Sequence, residues 1–503
     1  MLENILIGFS VSTTFGNLAA AFIGTFFGII FGALPGLTAN MGVALLVPIT
    51  FAMSPTGGLI MLSGIYCGAI YGGSIPAVLL HTPGTPAAIV TMQDGYALCK
   101  KGEGRRALTS ATLASFAGGL CSALALLFLS PYLAQIAVTF GPPEYFCLGV
   151  FGMSVISSMS GAKLVKGMIV GFFGILLSCV GMDPVDAVER LSYGLPDLLD
   201  GFTLVPVLIG LFSIPEALDM ATRQSRKLVN AGDTIMGPYF LPLAEYLRMK
   251  WNFIKSSVIG VIVGIIPAAG PEVAPFISYR EEIRSSKTPE LFGTGIHDGV
   301  VAAECANNGC TGGSLIPLLT LGIPGSAVAA VYLGALTIHG LMPGPMLFQK
   351  NPDIVYGLFI GFIIIQFMML GLGLMGANLF VQVVKMPERI IAVLIFFFCI
   401  MGSLAIKGNV FDVWVMFVFG LLGVFLKRFD FPAAPIVMGL VLGPILEQNF
   451  FASMMMSHNS PWIFVTRPLS IAILALTVLT VVGPMLGNRK KGGRGLPDRA
   501  EKA

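Results

Sequence analysis

The chain has 503 residues, of which 55% are hydrophobic and only 11% charged, with a net charge of +3. A soluble globular domain carries about 25% charged residues, so the charge that coats a water-exposed surface is missing. The small positive excess is spread over loops, and no basic groove or aromatic platform points to nucleic acid.

Continuous apolar runs of the length a bilayer requires, ~20 residues, recur at 107–129, 164–181, 355–384, 390–406, 409–426 and 466–486. Runs that do not alternate argue against a β-barrel. The expected fold is therefore all-α and polytopic, with roughly 10 to 12 transmembrane helices. The N-terminus begins Met1-Leu2-Glu3 and has no Lys or Arg before Lys100, so it lacks the basic region of a signal peptide. The eight cysteines include no CxxC pair, and Cys67, Cys121, Cys147, Cys179 and Cys399 sit singly in apolar context. Cys305 and Cys310 are too isolated for a zinc site. All read as small buried hydrophobes.

The first break in the apolar pattern is Gly28-x3-Gly32-x2-Pro35, echoed later by Gly260-x3-Gly264-x2-Pro267. A longer module is also written twice. The first copy contains Gly72-Gly73-Ser74-Ile75-Pro76 and Pro83-Gly84-Thr85-Pro86. The second contains Gly312-Gly313-Ser314-Leu315-Ile316-Pro317 and Pro324-Gly325-Ser326-Ala327. With Leu315 treated as an insertion, nine of the seventeen positions from Gly72 to Ala88 match. Helix breakers at corresponding places in two apolar halves mark a transporter site built from broken helices. Each half is expected to hold one broken helix and one re-entrant hairpin, near 72–92 and 312–334.

Basic clusters fall at Lys100-Lys101 with Arg105-Arg106, at Arg223 with Arg226-Lys227, at Lys427-Arg428, and at Arg489-Lys490-Lys491 with Arg494. The positive-inside rule assigns all four to the cytoplasm. Four spans separate the first two clusters, near 107–129, 144–160, 164–181 and 200–213, an even number as the rule requires. The helix before Pro267 follows basic residues and the helix before Pro35 does not, so the halves are expected to be inverted repeats. The chain divides into an N-terminal repeat (1–213), a cytoplasmic linker (214–252), the core of a C-terminal repeat (253–350), further transmembrane helices (351–487) and a basic cytoplasmic tail (488–503). The N-terminus is expected on the periplasmic side.

In the first module, two glycines and Pro76 argue against an uninterrupted helix. Pro83-Gly84 stops the chain, Thr85 suits an N-cap, and Pro86 suits the first helical position before Ala87–Met92. In the second, Pro324-Gly325 stops the chain and Ser326 caps a helix over Ala327–Gly334. A helix that starts inside a membrane presents free N–H groups and a positive dipole end, which favour an anion. The candidate site takes Gly73, Ser74, Pro83, Gly84 and Thr85 from the first module, and Gly313, Ser314, Pro324, Gly325 and Ser326 from the second. Ser74, Thr85, Ser314, Ser326 and nearby carbonyls are candidates for Na⁺. The turns after the two breaks add Gly36, Thr38 and Asn40, and Gly270 and Glu272. Asn307 and Asn308 precede the second module. Glycines spaced by four also serve close helix packing alone.

Glu272 and Glu304 are ionisable at apparent membrane depth, suited either to a proton or sodium step or to a loop. His81 lies in the first hairpin and His339 follows the second, each suited either to a structural place or to a proton or substrate role, and His297 and His458 read as loop residues. Asp94, Asp298 and Glu144 are expected to mark water-facing ends, and Lys163 and Lys166 to snorkel. No GxSxG, Walker A or HExxH motif is present, so neither an enzyme nor an ATP motor is indicated. No cofactor is expected beyond Na⁺ or H⁺ as a coupling ion.

The strings Gly32-Ala33-Leu34-Pro35-Gly36-Leu37-Thr38-Ala39, Gly68–Ala88 and Asn307–Gly325 resemble the large membrane subunit of the tripartite tricarboxylate transporters, the TctA-type family, over about residues 15–485. The resemblance implies a permease subunit in the bacterial cytoplasmic (inner) membrane. It would work with a small four-helix membrane subunit (TctB-type) and a periplasmic solute-binding protein (TctC-type). It further implies secondary uptake of citrate and related carboxylates, driven by Na⁺ or H⁺, and an elevator-like motion. The tension in that expectation is charge, since no Lys or Arg lies inside either hairpin. The alternative class is an ion channel or a non-transporting membrane scaffold.

Overall fold

A computed structural model of the chain describes residues 1–34, 36–159, 164–183, 186–222, 238–266, 270–384 and 388–489. Pro35, Pro267, Lys163, the cluster Arg223, Arg226 and Lys227, and the tail from Lys490 onward lie outside the described residues. The protein is built from helices. The first half contains α1 (Leu2–Ser12), α2 (Phe15–Ala33), α3 (Ala39–Thr50), α4 (Pro55–Gly72), α5 (Ser74–Leu80), α6 (Ile89–Lys100), α7 (Gly104–Ala137), α8 (Pro142–Met159), α9 (Leu164–Ser178), α10 (Leu204–Leu208) and α11 (Ile214–Thr222). The second contains α12 (Leu243–Arg248), α13 (Lys250–Ile265), α14 (Gly270–Ser285), α15 (His297–Leu321), α16 (Ala327–Ile338), α17 (Pro345–Lys350), α18 (Pro352–Val384), α19 (Glu388–Lys407), α20 (Val410–Arg428), α21 (Ala434–Met456), α22 (Ile463–Thr466) and α23 (Pro468–Arg489). Among the described residues, eight helices are long and apolar enough to cross a membrane. The one strand pair described is a short antiparallel hairpin, Gly181–Met182 with Glu189–Arg190, pinned to α21 by Arg190 and Glu447 at 2.7 and 3.1 Å.

The glycine spacing read from the sequence is a seam between backbones. A methyl group at Gly24, Gly28 or Gly32 would fall 2.2, 2.6 or 2.2 Å from the carbonyl oxygens of Met61, Ile65 and Ala69, so α2 lies directly against α4 and runs parallel to it. The second half repeats the seam. Methyls at Gly260 and Gly264 would meet the carbonyls of Ala306 and Cys310 at 2.3 and 2.8 Å. Close glycine contacts also join the halves. A methyl at Gly439 on α21 would meet Gly171 O and Ile175 N on α9, and one at Gly210 would meet Met416 O and Gly420 N on α20. In both cases a helix of one half closes a bundle of the other.

The structure corrects the expectation that Gly312–Pro317 breaks its helix, which runs unbroken from His297 to Leu321. In the first module the helix is interrupted at Gly73 alone, α4 ending at Gly72 and α5 beginning at Ser74, and the two make one span from Pro55 to Leu80. At about 1.5 Å per residue, the 26 residues from Pro55 to Leu80 outreach the ~30 Å hydrocarbon layer. The chain reverses only at His81 (φ 53°) and at Gly322 (φ 75°). From there it doubles back beside its own helix. Gly84 N–H donates to Gly73 O and Gly325 N–H to Ser314 O, both at 3.2 Å, while Thr82 and Ile323 donate to the carbonyls of Pro76 and Pro317. Each proline deprives its helix of a ladder bond, and the returning loop supplies N–H groups at that level. These bonds also set the repeat register. Gly73 stands opposite Ser314 and Pro76 opposite Pro317 without an insertion, so Ser74 and Ser314 are not equivalent positions.

The segments after the first breaks also turn back. Lys255, early in α13, reaches Glu282 (2.6 Å) and Ser285 (2.5 Å) at the end of α14. The expected linker 214–252 is helical at both ends, in α11 and in α12 with the start of α13. Two carboxylates expected at water-facing ends are buried instead. Glu144 accepts from Arg467 (2.6 Å), Ser470 (2.9 Å) and Gly141 N–H (2.9 Å). Asp94 accepts from Tyr279 (2.7 Å) and from the N–H groups of Gly293, Gly295 and Ile296 (2.9, 2.9 and 3.2 Å). It ties the loop before α15 to α6. His297 is buried too, against Ser110 at 3.0 Å, whereas Asp298 meets Arg248 at 2.8 Å. Lys166 donates to Phe429 O.

Replacing Asp94 by Ala leaves three backbone donors and the Tyr279 hydroxyl without their acceptor. A loss of about 3 kcal/mol is expected, seen as a clearly lower unfolding midpoint of the detergent-purified protein. An unchanged midpoint removes Asp94 from the framework.

Candidate functional site

The two hairpins meet inside the protein. In the first, Pro83-Gly84-Thr85 lies against Gly73, and a methyl at Gly84 would fall 2.0 Å from Gly32 O. A 3₁₀ turn over Pro86–Ala88 then leads into α6. Thr85 occupies the cap position with extended backbone, but its hydroxyl makes no cap bond. Thr85 Oγ1 is buried without a hydrogen-bond partner. In the second hairpin, Pro324-Gly325-Ser326 lies against Ser314, and a methyl at Gly325 would fall 2.6 Å from Gly264 O. Ser326 does cap its helix, accepting from Ala329 N–H at 3.1 Å.

Side chains from each module close over the other. Tyr66 of α4 places its hydroxyl 3.1 Å from Ser314 Oγ and 3.3 Å from Ser326 Oγ. Asn307 of α15 donates to Ala87 O at 3.4 Å, and Asn308 donates to Asn307 Oδ1 at 2.8 Å. Asn308 Oδ1 is a second buried oxygen without a partner. Glu304 accepts from Thr91 of α6 (2.5 Å) and from Ser115 of α7 (2.8 Å). Tyr332 of α16 meets Ser63 at 2.9 Å and donates to Leu59 O at 2.6 Å.

The start of α14 borders the same region, and α3 packs nearby. Thr38 caps α3 through Met41 N–H at 3.3 Å. Gly36 (φ 96°) turns the chain ahead of it, and Asn40 is half-buried in its first turn. A methyl at Gly270 (φ 61°) would lie 2.5 Å from Glu272 Oε2 and 3.6 Å from Ser326 Cβ, so α14 begins beside the tip of the second hairpin. α14 also packs on the Pro86–Ala88 turn, and α3 packs on α16. Gly313 faces Val261 O and Gly264 in the α13 seam. Ser74 turns its hydroxyl back to Tyr71 O at 2.7 Å and serves its own helix. A separate cleft of about 480 Å³ runs between Ser178 and Glu447 on one wall and Leu333 and Thr337 of α16 on the other.

Comparison with known sequences fits this arrangement. The sequence model described as "Tripartite tricarboxylate transporter TctA family" matches residues 18–438. The chain belongs to the TctA family. A 52.8 kDa uncharacterised protein of Agrobacterium vitis, named for the TAR-I ttuC′ 3′ region, is 36% identical over 486 residues, covering 97% of this chain and 96% of that one. A second uncharacterised protein of Agrobacterium vitis, from the TAR-II ttuC′ 3′ region, is 36% identical over 227 residues, covering 45% of this chain and 94% of that protein. As a TctA protein the chain is a multi-pass membrane subunit of a tripartite transport system and not an enzyme.

Sequence reasoning missed Tyr66, Thr91 and Ser115, because each lies in an unbroken apolar helix and gains its role only from a partner in the other half. Glu304 was visible as a lone acid among apolar residues. His81 is exposed at the turn and stacks on Tyr96 at 4.5 Å, which makes it a hairpin cap.

Close approach at the tips predicts strict size limits. Gly84→Ala and Gly325→Ala are each expected to overpack the site by about 1–3 kcal/mol and to cut uptake about tenfold or more at unchanged membrane abundance. Gly16→Ala, whose methyl meets open space, is the control. Wild-type uptake by both tip variants excludes the tips from the site.

Proposed function

We propose that this chain is the permease subunit of a cation-coupled uptake system for tri- or dicarboxylates or related organic anions. The observation that carries the reading is the crossing of the two hairpins. Helix starts at Thr85–Pro86, Ser326 and Gly270 gather around Tyr66 and Asn307. The stretches Met1–Cys99 and Thr288–Gln349, which hold both hairpins, contain no Lys or Arg. Backbone dipole ends, hydroxyls and amides are therefore what an anion would meet there. The buried oxygens without partners, Thr85 Oγ1 and Asn308 Oδ1, suit a coupling cation held by hydroxyl, amide and carbonyl oxygens. Among the described residues no group of three or more His, Cys, Asp or Glu gathers to hold one.

Contacts at the ends of the hairpins support an inverted topology. Lys101, just after α6, donates to Gly295 O ahead of α15. A methyl at Gly58, early in α4, would meet His339 Nε2 just after α16, and Gly344 N–H donates to Leu319 O near the end of α15. On this reading α4 starts at the end of the molecule where α15 finishes, and the two long helices run in opposite directions. With Lys100–Arg106 in the cytoplasm, Glu3 faces the periplasm. The segments α18, α19, α20, α21 and α23 then alternate to a cytoplasmic C-terminus in the bacterial inner membrane. The remaining parts of the system are a small TctB-type membrane subunit and a periplasmic TctC-type binding protein that selects the carboxylate.

Two measurements test this. Cells carrying the full three-part system should take up labelled carboxylate saturably, and only under an imposed Na⁺ or proton gradient. Conductance without coupling would replace the carrier by a channel. Glu3→Cys should react with a membrane-impermeant maleimide from the periplasm, and Lys490→Cys only after permeabilisation. The opposite pattern inverts the orientation.

A further inference from the structure

The duplication brings one pair of contacts into correspondence with a difference in chemistry. In the register fixed by Gly84–Gly73 and Gly325–Ser314, Thr91 on α6 corresponds to Tyr332 on α16, and Glu304 on α15 corresponds to Ser63 on α4. Both pairs are in contact. Tyr332 meets Ser63 at 2.9 Å, and Thr91 meets Glu304 at 2.5 Å. Each is a latch between the returning helix of one hairpin and the long helix of the other module. One latch is made of neutral hydroxyls and the other contains a carboxyl group.

We propose that Glu304 is a proton-binding site that latches the first hairpin, holding a proton while α6 is seated and releasing it when α6 moves away. This deepens the coupled-transport reading and rests on it. Glu304 is fully buried, and among the described residues no cation pairs with it. Its oxygens meet the hydroxyls of Thr91 and Ser115 and the amide of Asn307, all neutral groups. The titratable groups that act on it are Tyr71 on α4 and Cys305 on α15 itself, and the elements packed around it also carry Asp94 on α6, Tyr279 on α14 and His297 at the start of α15. Asp94 is held by Tyr279 and three backbone donors. α7 presents Ser115 and α13 presents Ser257. The cations at this end of the molecule are engaged elsewhere: Lys101 with Gly295 O, Arg105 over Tyr239, Arg106 with Glu103, and Lys255 with Glu282.

An unpaired carboxylate sealed from water costs far more than the neutral acid, and a few neutral donors do not make up the difference. Once protonated, the acid turns one of its two hydroxyl contacts around, donating to one hydroxyl and accepting from the other. When α6 leaves, water reaches the group and it ionises. Proton binding therefore favours the seated hairpin, and proton loss favours its release.

The test uses the full chain in proteoliposomes, with a cysteine placed at the buried position Ala88 and the wild-type protein as background. Maleimide labelling of Ala88→Cys, divided at each pH by the labelling rate of a fully exposed cysteine so that thiol ionisation cancels, should be low at mildly acidic pH and higher at alkaline pH. Adding Glu304→Gln, which fixes the neutral form, should hold this ratio low at every pH. A pH response unchanged by Glu304→Gln overturns the latch. Infrared difference spectra supply the second readout. The protonated-carboxyl band of the wild type at neutral pH should be missing from Glu304→Gln, and finding Glu304 ionised overturns the proposal. Should Glu304→Gln not fold, Thr91→Val takes its place: losing one hydroxyl partner should shift that band, and an unmoved band overturns the proposal. Gradient-driven uptake by the full three-part system is measured separately. Uptake with no effect on labelling removes the latch alone, whereas absent uptake removes the transport reading.

Discussion

The constraint on which the structure depends is the pairing of backbone N–H groups inside a protein that has no bulk water to supply partners. Each unpaired group in hydrocarbon costs several kcal/mol. An extended loop can enter the membrane interior only where carbonyls wait for it. Here they belong to the loop's own helix. Gly84 N–H meets Gly73 O, and Gly325 N–H meets Ser314 O. Pro76 and Pro317 take the ladder partners from Gly72 O and Gly313 O, one residue before the carbonyls that receive the returning loop. Every other contact at the crossing, from Tyr66 to Asn307, presupposes that these loops can lie there.

The small residues follow from the same constraint. A loop lying against a helix leaves no room for side chains between them, and the next layer must be thin as well. Gly84 is flanked by Gly73 on one side and by the carbonyl of Gly32 on the other. Gly32 in turn abuts Ala69. The glycine seam of α2 and α4 and the hairpin tip are thus one packed object, and the second half rebuilds it with Gly264, Ser314 and Gly325.

Much of this was legible in the sequence. Continuous apolar runs located the spans well: 107–129 lies within Gly104–Ala137, and 409–426 nearly coincides with Val410–Arg428. The duplication marked the two hairpin tips and the seam behind them. Three things were not legible, each for a physical reason. Gly312–Pro317 looked like a break, yet α15 runs through it, because the returning loop compensates what its proline costs. Ser74 and Ser314 looked equivalent because matching letters suggested an insertion, while the backbone hydrogen bonds set a register without one. Asp94 and Glu144 looked water-facing because their partners, Gly293–Ile296 and Arg467, are far away in the sequence.

Charge balance connects the two hairpins to the cargo proposed for them. Each helix start contributes about half a positive charge. Those at Thr85–Pro86, Gly270 and Ser326 therefore supply about one and a half in total, and Met1–Cys99 and Thr288–Gln349 add no Lys or Arg. These ends leave about half a negative charge of a dicarboxylate and about one and a half of a tricarboxylate unbalanced. On the proposed reading the missing charge arrives with the substrate, as a cation at oxygens such as Thr85 Oγ1 and Asn308 Oδ1 or as a proton. On the carrier reading proposed above, a coupling cation would supply the positive charge that a site built without basic side chains lacks.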